Sequence, residues 1–320
     1  MRKITIEEHF TTQSFQQYLR KQSERTGSLA PIPPAHVVAQ TLDLGENRLR
    51  GLDESGIDVQ VLSLNTPGLE RVQAEDALPL AREINDELAT AIRQYPTRFA
   101  GFAALPTLDP QAAAAELERA VTQLGLKGAM LHGQPAGGFL DEGKYWDILA
   151  MAEALDVPIY LHPAAPAPAT TRLYEGRPEL IGPLWSFTVD AATQALRLIV
   201  SGVFDQFPRL TIILGHLGET LPYLLGRLDS RWQFYAGERQ VREKPSYYVR
   251  NNFLVTTSGI FYDPPLLCAI AAVGVERVLF AVDFPYEQNK AGAAWLDAAP
   301  ISVEEKQKIA SLNAERWLHL

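Results

Sequence analysis

Glu7 and His9 stand two residues apart in the run IEEHF at 6–10. Alternate residues of a β-strand leave the same face, so this pair presents a carboxylate and an imidazole side by side. Such a pair can share one divalent cation. Three more residues of matching chemistry close or follow short apolar runs: His162 ends PIYLH, His216 follows LTIILG, and Asp283 ends VLFAVD. Taken singly, each reads as a strand-end polar group satisfied by a loop. Taken together, two acids and three histidines at strand ends predict that all five converge on one shared cation at the barrel's open end.

In His216-Leu217-Gly218-Glu219 the glycine permits a tight strand-to-helix turn. Glu219 then either orients the His216 imidazole or complements a helix dipole as a first-turn acid. Arg227, two turns on, reads by itself as a surface charge or ion-pair partner. His132 ends the run GAMLH and suits a structural role as well as one beside the ligands or facing substrate. His36 and His319 read as surface residues, and Cys268, inside LLCAI, as a small buried hydrophobe.

Eight β-rich runs must position these groups: 3–8, 58–64, 99–105, 128–132, 158–162, 210–215, 253–258 and 278–283. Several are nearly continuous in Val, Ile, Leu, Phe and Ala, as strands buried on both faces are. Helical stretches alternate with them. Asp109-Pro110 supplies a cap and a first-turn proline, and Ser302 to Glu305 fits a capping box. Leu117, Val121 and Leu124 keep helical spacing, as do Leu196, Ile199 and Val200. Eight strand–helix units in 320 residues predict a single α/β domain over 1–320, a closed (β/α)8 TIM barrel. A doubly wound open sheet is the alternative, but no glycine-rich phosphate loop follows an early strand. Pro, Gly and Ser cluster at 24–42, within an insertion at about 11–42. A second long excursion covers 163–182. Both leave from strand C-termini, where barrels place their chemistry, and both read as walls or lids.

A net charge of −9 without a basic stripe argues against a nucleic-acid partner. One cysteine excludes an intrachain disulfide. No apolar run approaches the ~18 residues of a membrane span, and the N-terminus lacks a secretory apolar core. Cytoplasmic residence is the default expectation.

With these residues in view the chain resembles the amidohydrolase-superfamily decarboxylases, a group that includes γ-resorcylate and 2,3-dihydroxybenzoate decarboxylases. The likeness spans IEEHF at 6–10, LSLNTPG at 62–68, RFAGFAALP at 98–106, DVPIYLHP at 156–163, SGVFDQFPRLTIILGHLGETLP at 201–222, TTSG at 256–259 and VLFAVDFPYE at 278–287. The opening ExH is specific, because most of the wider superfamily opens with HxH. The resemblance implies a barrel of the metal-dependent hydrolase type with Glu7, His9, His162 and Asp283 as ligands of one Zn²⁺ or Mn²⁺. It makes His216 a catalytic histidine, Glu219 its carboxylate partner, and Arg227 a substrate-binding arginine reaching towards the site. It further implies a small aromatic carboxylic acid as substrate and a homodimer or homotetramer.

The expected reaction is non-oxidative decarboxylation of an ortho-hydroxybenzoate. Carboxylate and phenolate chelate the metal, Asp283 protonates the ring carbon, and CO₂ leaves. Metal-dependent hydrolysis of a lactone, ester or amide is the alternative, and a catalytically silent binding barrel is a third reading. Phe284 stands where the family often has tryptophan, and Ile260 where it has asparagine. The segment 138–146 is shorter than the family's tyrosine-rich loop. These departures spare the ligands and bear on substrate choice.

Overall fold

In the computed structural model, residues 1–26, 34–135, 138–166, 168–235 and 241–320 are described. Among them eight strands alternate with helices: β1 Ile4–Phe10, β2 Val59–Leu64, β3 Phe99–Gly101, β4 Ala129–His132, β5 Ile159–His162, β6 Ile212–Leu214, β7 Phe253–Thr256 and β8 Val278–Leu279. All pair in parallel and in sequence order, as β1-β2-β3 and as β4 through β8. A bridge between Ala103 and Ala129 joins the two groups. The other seam closes where Ile6 N donates to Phe280 O at 3.1 Å and His9 N to Phe284 O at 2.8 Å. The result is the expected TIM barrel.

The near-continuous apolar runs follow from this closure, because each strand buries both faces. Ile159 and Leu161 pack outwards among the helices, while Tyr160 between them points into the barrel. Ile4, Ile6, Val61, Phe102, Met130, Ile213, Leu254 and Leu279 fill that interior, with Ala314 and Leu318 of the C-terminal segment packed against them. Asp109 caps the helix Pro110–Thr122 through Ala112 N at 3.0 Å. Ser302 and Glu305 form the expected capping box on Val303–Gln307.

Three details differ from the sequence reading. The paired parts of strands 3, 6 and 8 are shorter than the apolar runs. Beyond Leu279 side chains replace ladder partners: Ala281 N donates to Thr257 Oγ1 at 3.0 Å, and Val282 N donates to Glu8 Oε1 at 2.9 Å. The first excursion is partly helical, with helices Gln13–Thr26 and Ala35–Leu42; residues 27–33 of it lie outside the described residues. Cys268 is half-buried, because the helix Asp263–Val273 buries the stripe Leu266, Ala269 and Val273 and leaves position 268 off that face. The second excursion, 163–182, forms short 3-10 turns at Pro168–Tyr174 and Pro178–Leu180, with residue 167 outside the description. Among the described residues no helix is long and apolar enough to cross a membrane.

Candidate active site

A β-bulge opens the site. The β1–β2 register shifts between Ile6 and Glu8, and Glu7 takes a left-handed φ of 102°. The bulge carries Glu7 into the barrel mouth beside His9. One ligand atom each from Glu7, His9, His162 and Asp283 lies within 4.8 Å of the other three. His9 Nε2 is 3.0 Å from Asp283 Oδ1, and His162 Nε2 is 3.4 Å from Glu7 Oε1. His162 reaches this point as the last residue of β5. Asp283 lies beyond β8, turned inwards by a φ of 78°.

The surrounding bonds point these atoms at one another. Tyr160 OH donates to Glu7 Oε2 and lies 2.9 Å from Thr256 Oγ1, which also donates to Oε2 at 3.3 Å. Glu7 Oε1 is buried without a hydrogen-bond partner among the described residues. His162 Nδ1 donates to the Pro163 carbonyl at 2.7 Å, leaving the lone pair on Nε2. Two imidazole nitrogens and two carboxylate oxygens, nearly shut off from solvent and with an unpaired oxygen at the centre, fit a divalent cation. Their two negative charges balance it.

His216 follows β6 in a tight turn where His216, Leu217, Glu219 and Thr220 all have positive φ. Gly218, at φ 83°, also needs its missing side chain, since a Cβ would come within 2.9 Å of Pro222 and Val255. The turn brings Glu219 Oε1 to 2.6 Å from His216 Nδ1, which resolves the earlier alternatives in favour of an imidazole–carboxylate pair. The opposite nitrogen, Nε2, lies 3.9 Å from Asp283 Oδ2. Ser258 Oγ accepts from His216 N at 3.0 Å and lies 2.9 Å from Thr256 Oγ1. A chain of hydroxyls thus ties Glu7 to the His216 turn.

The titration pattern follows the geometry. Burial pushes Glu7 up to about 7 against the pull of His216 and His9. Burial holds His162 well below the usual histidine range, helped by the neighbouring His132, His9 and His216. Burial also opposes charge on His216, yet Glu219 and Glu7 hold its pKa well above the ordinary value. For Asp283, burial pulls upwards, but hydrogen bonds to His216 and His9 outweigh it and keep the carboxyl low. Both shifts run in the direction of an ion pair between His216 and Asp283.

Glu7, His9, His162, His216, Glu219 and Asp283 converge. Arg227 does not. It lies exposed on the helix Leu221–Trp232, whose buried residues are Leu221, Pro222 and Leu225. Two residues past Leu225 is about 200° around a helix, the opposite face. His132 is buried in register with His162, their rings 4.9 Å apart, and lies 3.7 Å from Glu70. Burial drives its pKa to about 3, so it is neutral. His36 and His319 are exposed, as expected.

The sequence reading passed over Tyr160, Thr256 and Ser258, although Tyr160 lies in the quoted DVPIYLHP and the other two in the quoted TTSG. It also missed Tyr286, whose ring packs edge-on to His9 at 5.7 Å and whose OH donates to Asn65 Oδ1 at 2.9 Å. Its place in the quoted VLFAVDFPYE, three residues after Asp283, was the available signal.

Known proteins share this arrangement of chain. The sequence is 39% identical over 327 residues to a γ-resorcylate decarboxylase of Polaromonas sp., covering 99% of this chain and 98% of that one. A crystal structure of a Polaromonas sp. dihydroxybenzoic acid decarboxylase, with bound manganese and the inhibitor 2-nitroresorcinol, superposes with a TM-score of 0.92 at 38% identity. It covers 100% of this chain and 97% of that one. A 5-carboxyvanillate decarboxylase of Novosphingobium aromaticivorans, holding manganese and 4-hydroxy-3-methoxy-5-nitrobenzoic acid, gives 0.94 at 33% identity, over 100% and 96% of the two chains. The amidohydrolase family profile matches residues 42–320, and the chain belongs to that family.

Proposed function

We propose that this chain is a metal-dependent carboxy-lyase that releases CO₂ from an ortho-hydroxybenzoate, with 2,6-dihydroxybenzoate the leading substrate. One observation carries the reading: the His216–Glu219 pair, joined at 2.6 Å, stands 3.9 Å from one member of the four-residue donor cluster, Asp283. Water activation for hydrolysis needs the cation and a base. Here an imidazole oriented by Glu219 stands beside the acid as well, an arrangement suited to delivering a proton. The relatives named above are decarboxylases of hydroxylated aromatic acids.

Glu7, His9, His162 and Asp283 would hold one Mn²⁺ or Zn²⁺, with manganese favoured by the two solved relatives. Bound there, the cation supplies Lewis-acid stabilisation and a fixed anchor for a carboxylate and its ortho oxygen. The chain's own groups manage the proton. His216, charged through Glu219, passes its proton to Asp283, which delivers it to the ring carbon bearing the carboxylate. A C–H bond forms, aromaticity is lost, and the C–C bond then breaks. Its electron pair restores the ring, and CO₂ departs. Tyr286, 44% exposed beside His9, forms part of the wall the ring would meet.

Assays of CO₂ release from 2,6-dihydroxybenzoate, 2,3-dihydroxybenzoate, salicylate and 5-carboxyvanillate, with Mn²⁺ or Zn²⁺ supplied, test the reading. Release from at least one supports it, whereas hydrolysis of lactones or esters with no CO₂ from any of the acids overturns it. A homodimer or homotetramer belongs to the same reading. Leu184, Trp185, Tyr223 and Phe234 are large apolar side chains left 50% or more exposed, and a second copy covering them would take that apolar surface out of water. Arg227 lies one turn from Tyr223 on the exposed side of its helix, so on this reading it would meet the second copy. Light scattering of the wild type and Tyr223→Asp checks this: an oligomer that the substitution weakens supports it, and a wild-type monomer contradicts it.

A further inference from the structure

Asp283 occupies a seam of the barrel that the backbone alone does not close. Between the two backbone bonds joining β1 to the chain after β8, Ile6 N to Phe280 O and His9 N to Phe284 O, both strands carry a left-handed residue: Glu7 on one side and Asp283 on the other. Turning both inwards leaves the Val282 and Phe284 amides, on either side of Asp283, without a carbonyl from β1. Such buried amides are costly to leave unpaired. Both are taken by one side chain. Glu8 Oε1 accepts from Val282 N at 2.9 Å, and Glu8 Oε2 accepts from Phe284 N at 3.2 Å.

Glu8 is fully buried and is held in turn. Gln60 Nε2 donates to its Oε2 at 3.3 Å. Arg48 Nε donates to Gln60 Oε1 at 2.8 Å, and Arg48 Nη1 donates to the His9 carbonyl at 2.9 Å. The Arg48 guanidinium also lies 4.9 Å from the centre of the Phe284 ring. All of this stands on the side of β1 away from the donor cluster, where Glu8 touches no substrate.

We propose that Glu8 is the positioning residue for Asp283: its two carboxylate oxygens replace the missing strand carbonyls and fix the left-handed turn that aims Asp283 at the metal. The inference rests on the reading of Asp283 as a ligand given above. A carboxyl group, charged or neutral, keeps a lone pair on each oxygen for its amide. A glutamine of the same shape sets an NH₂ against one of the two N–H groups, so Glu8→Gln breaks one arm of the clamp with almost no change in volume.

Mn²⁺ affinity, measured by competition with a chelator, is compared among the wild type, Glu8→Gln, Asp283→Ala and the double variant. Glu8→Gln is expected to weaken Mn²⁺ binding about 10-fold. In the Asp283→Ala background the same change is expected to cost less than about 2-fold, since the group it aims is gone. An equal loss in both backgrounds, or no loss in the first, overturns the proposal, because a merely structural role acts alike with or without Asp283. If Asp283→Ala leaves Mn²⁺ affinity intact, the ligand reading falls, and the positioning of a ligand by Glu8 falls with it. Should the Glu8 variant not fold, hydrogen exchange of the wild type decides. Protection of the Val282 and Phe284 amides comparable to the β7 amides supports the clamp, and exchange as fast as in exposed loops refutes it.

Discussion

The two ends of the barrel interior are built on opposite terms. Towards the N-terminal ends of the strands, Ile4, Val59, Leu254 and Leu279 close against Ala314 and Leu318 in an apolar plug. At the C-terminal ends, over a distance of a few residues, the interior turns to Glu7, His9, His132, His162, Thr256 and Ser258, all buried. The backbone differs as well. Of the eight non-glycine residues with positive φ among the described residues, Glu7, His216, Leu217, Glu219, Thr220 and Asp283 belong to the site. Each such conformation costs on the order of 1 to 3 kcal/mol. The plug supplies stability through packing, and the mouth spends part of it to hold charged groups at close range. Tyr160 joins the two: its ring belongs to the apolar cluster and its hydroxyl to Glu7.

That division predicts which variants hurt what. Asp283→Asn removes both a donor oxygen and the proton carrier, so kcat should fall about a thousandfold or more, while the metal-free protein loses only the ionic contact with His216 and His9 and still unfolds cooperatively. A variant with near-normal turnover would dismiss Asp283 as the acid. In the plug, Leu279→Ala should cost about 2 to 5 kcal/mol of stability in urea melts and leave kcat per folded molecule unchanged. A matching loss of kcat would erase the contrast between the two ends.

Glu219→Gln keeps the shape beside His216 but removes the charge that holds its proton. A fall in kcat on the order of 10- to 100-fold is expected, with the acidic side of the activity most preserved, since an unassisted His216 is charged only at lower pH. An unchanged pH–rate profile would separate Glu219 from the chemistry.

The smallest effect concerns buried neutral groups behind the ligands. Burial raises Glu70 from an ordinary 4.5 to about 8. The folded protein then keeps a proton that the unfolded chain has lost. This contribution is complete below pH 4.5 and disappears as pH rises towards 8. His132, lowered from 6.5 to about 3, runs the other way: its contribution is complete above pH 6.5 and is lost as pH falls towards 3. Above pH 6.5 the losses from the buried acids and from the raised His216 remain. Metal-free protein should therefore lose stability between pH 6.5 and 8, with Glu70 responsible for on the order of 1 kcal/mol. Urea midpoints of Glu70→Gln should show a flatter slope over that interval. An identical slope would show that Glu70 is ionised in the fold.

The plug and the order of elements were legible in the sequence because burial on both faces writes continuous apolar runs, and each run names its strand. The candidate ligands were legible because polar residues ending such runs have one opening in common. Other features left no pattern. The bulge at Glu7 and the left-handed turn at Asp283 are single-residue backbone events on residues that rarely adopt them. Glu8 looked like a neighbour of the motif because its partners, the amides of Val282 and Phe284, lie more than 270 residues away. Arg227 matched a motif by position alone, and helix phase put it on the outer face.

The central claim is that one divalent cation, held by Glu7, His9, His162 and Asp283, is what makes this barrel a decarboxylase. Protein stripped with a chelator and titrated with Mn²⁺, with bound metal and CO₂ release from 2,6-dihydroxybenzoate followed in the same samples, tests it most directly. The account predicts activity rising in proportion to occupancy and levelling off at one Mn²⁺ per chain, with His162→Ala losing both together. Full activity in the stripped protein, or a His162→Ala variant that binds and turns over as the wild type does, would contradict it.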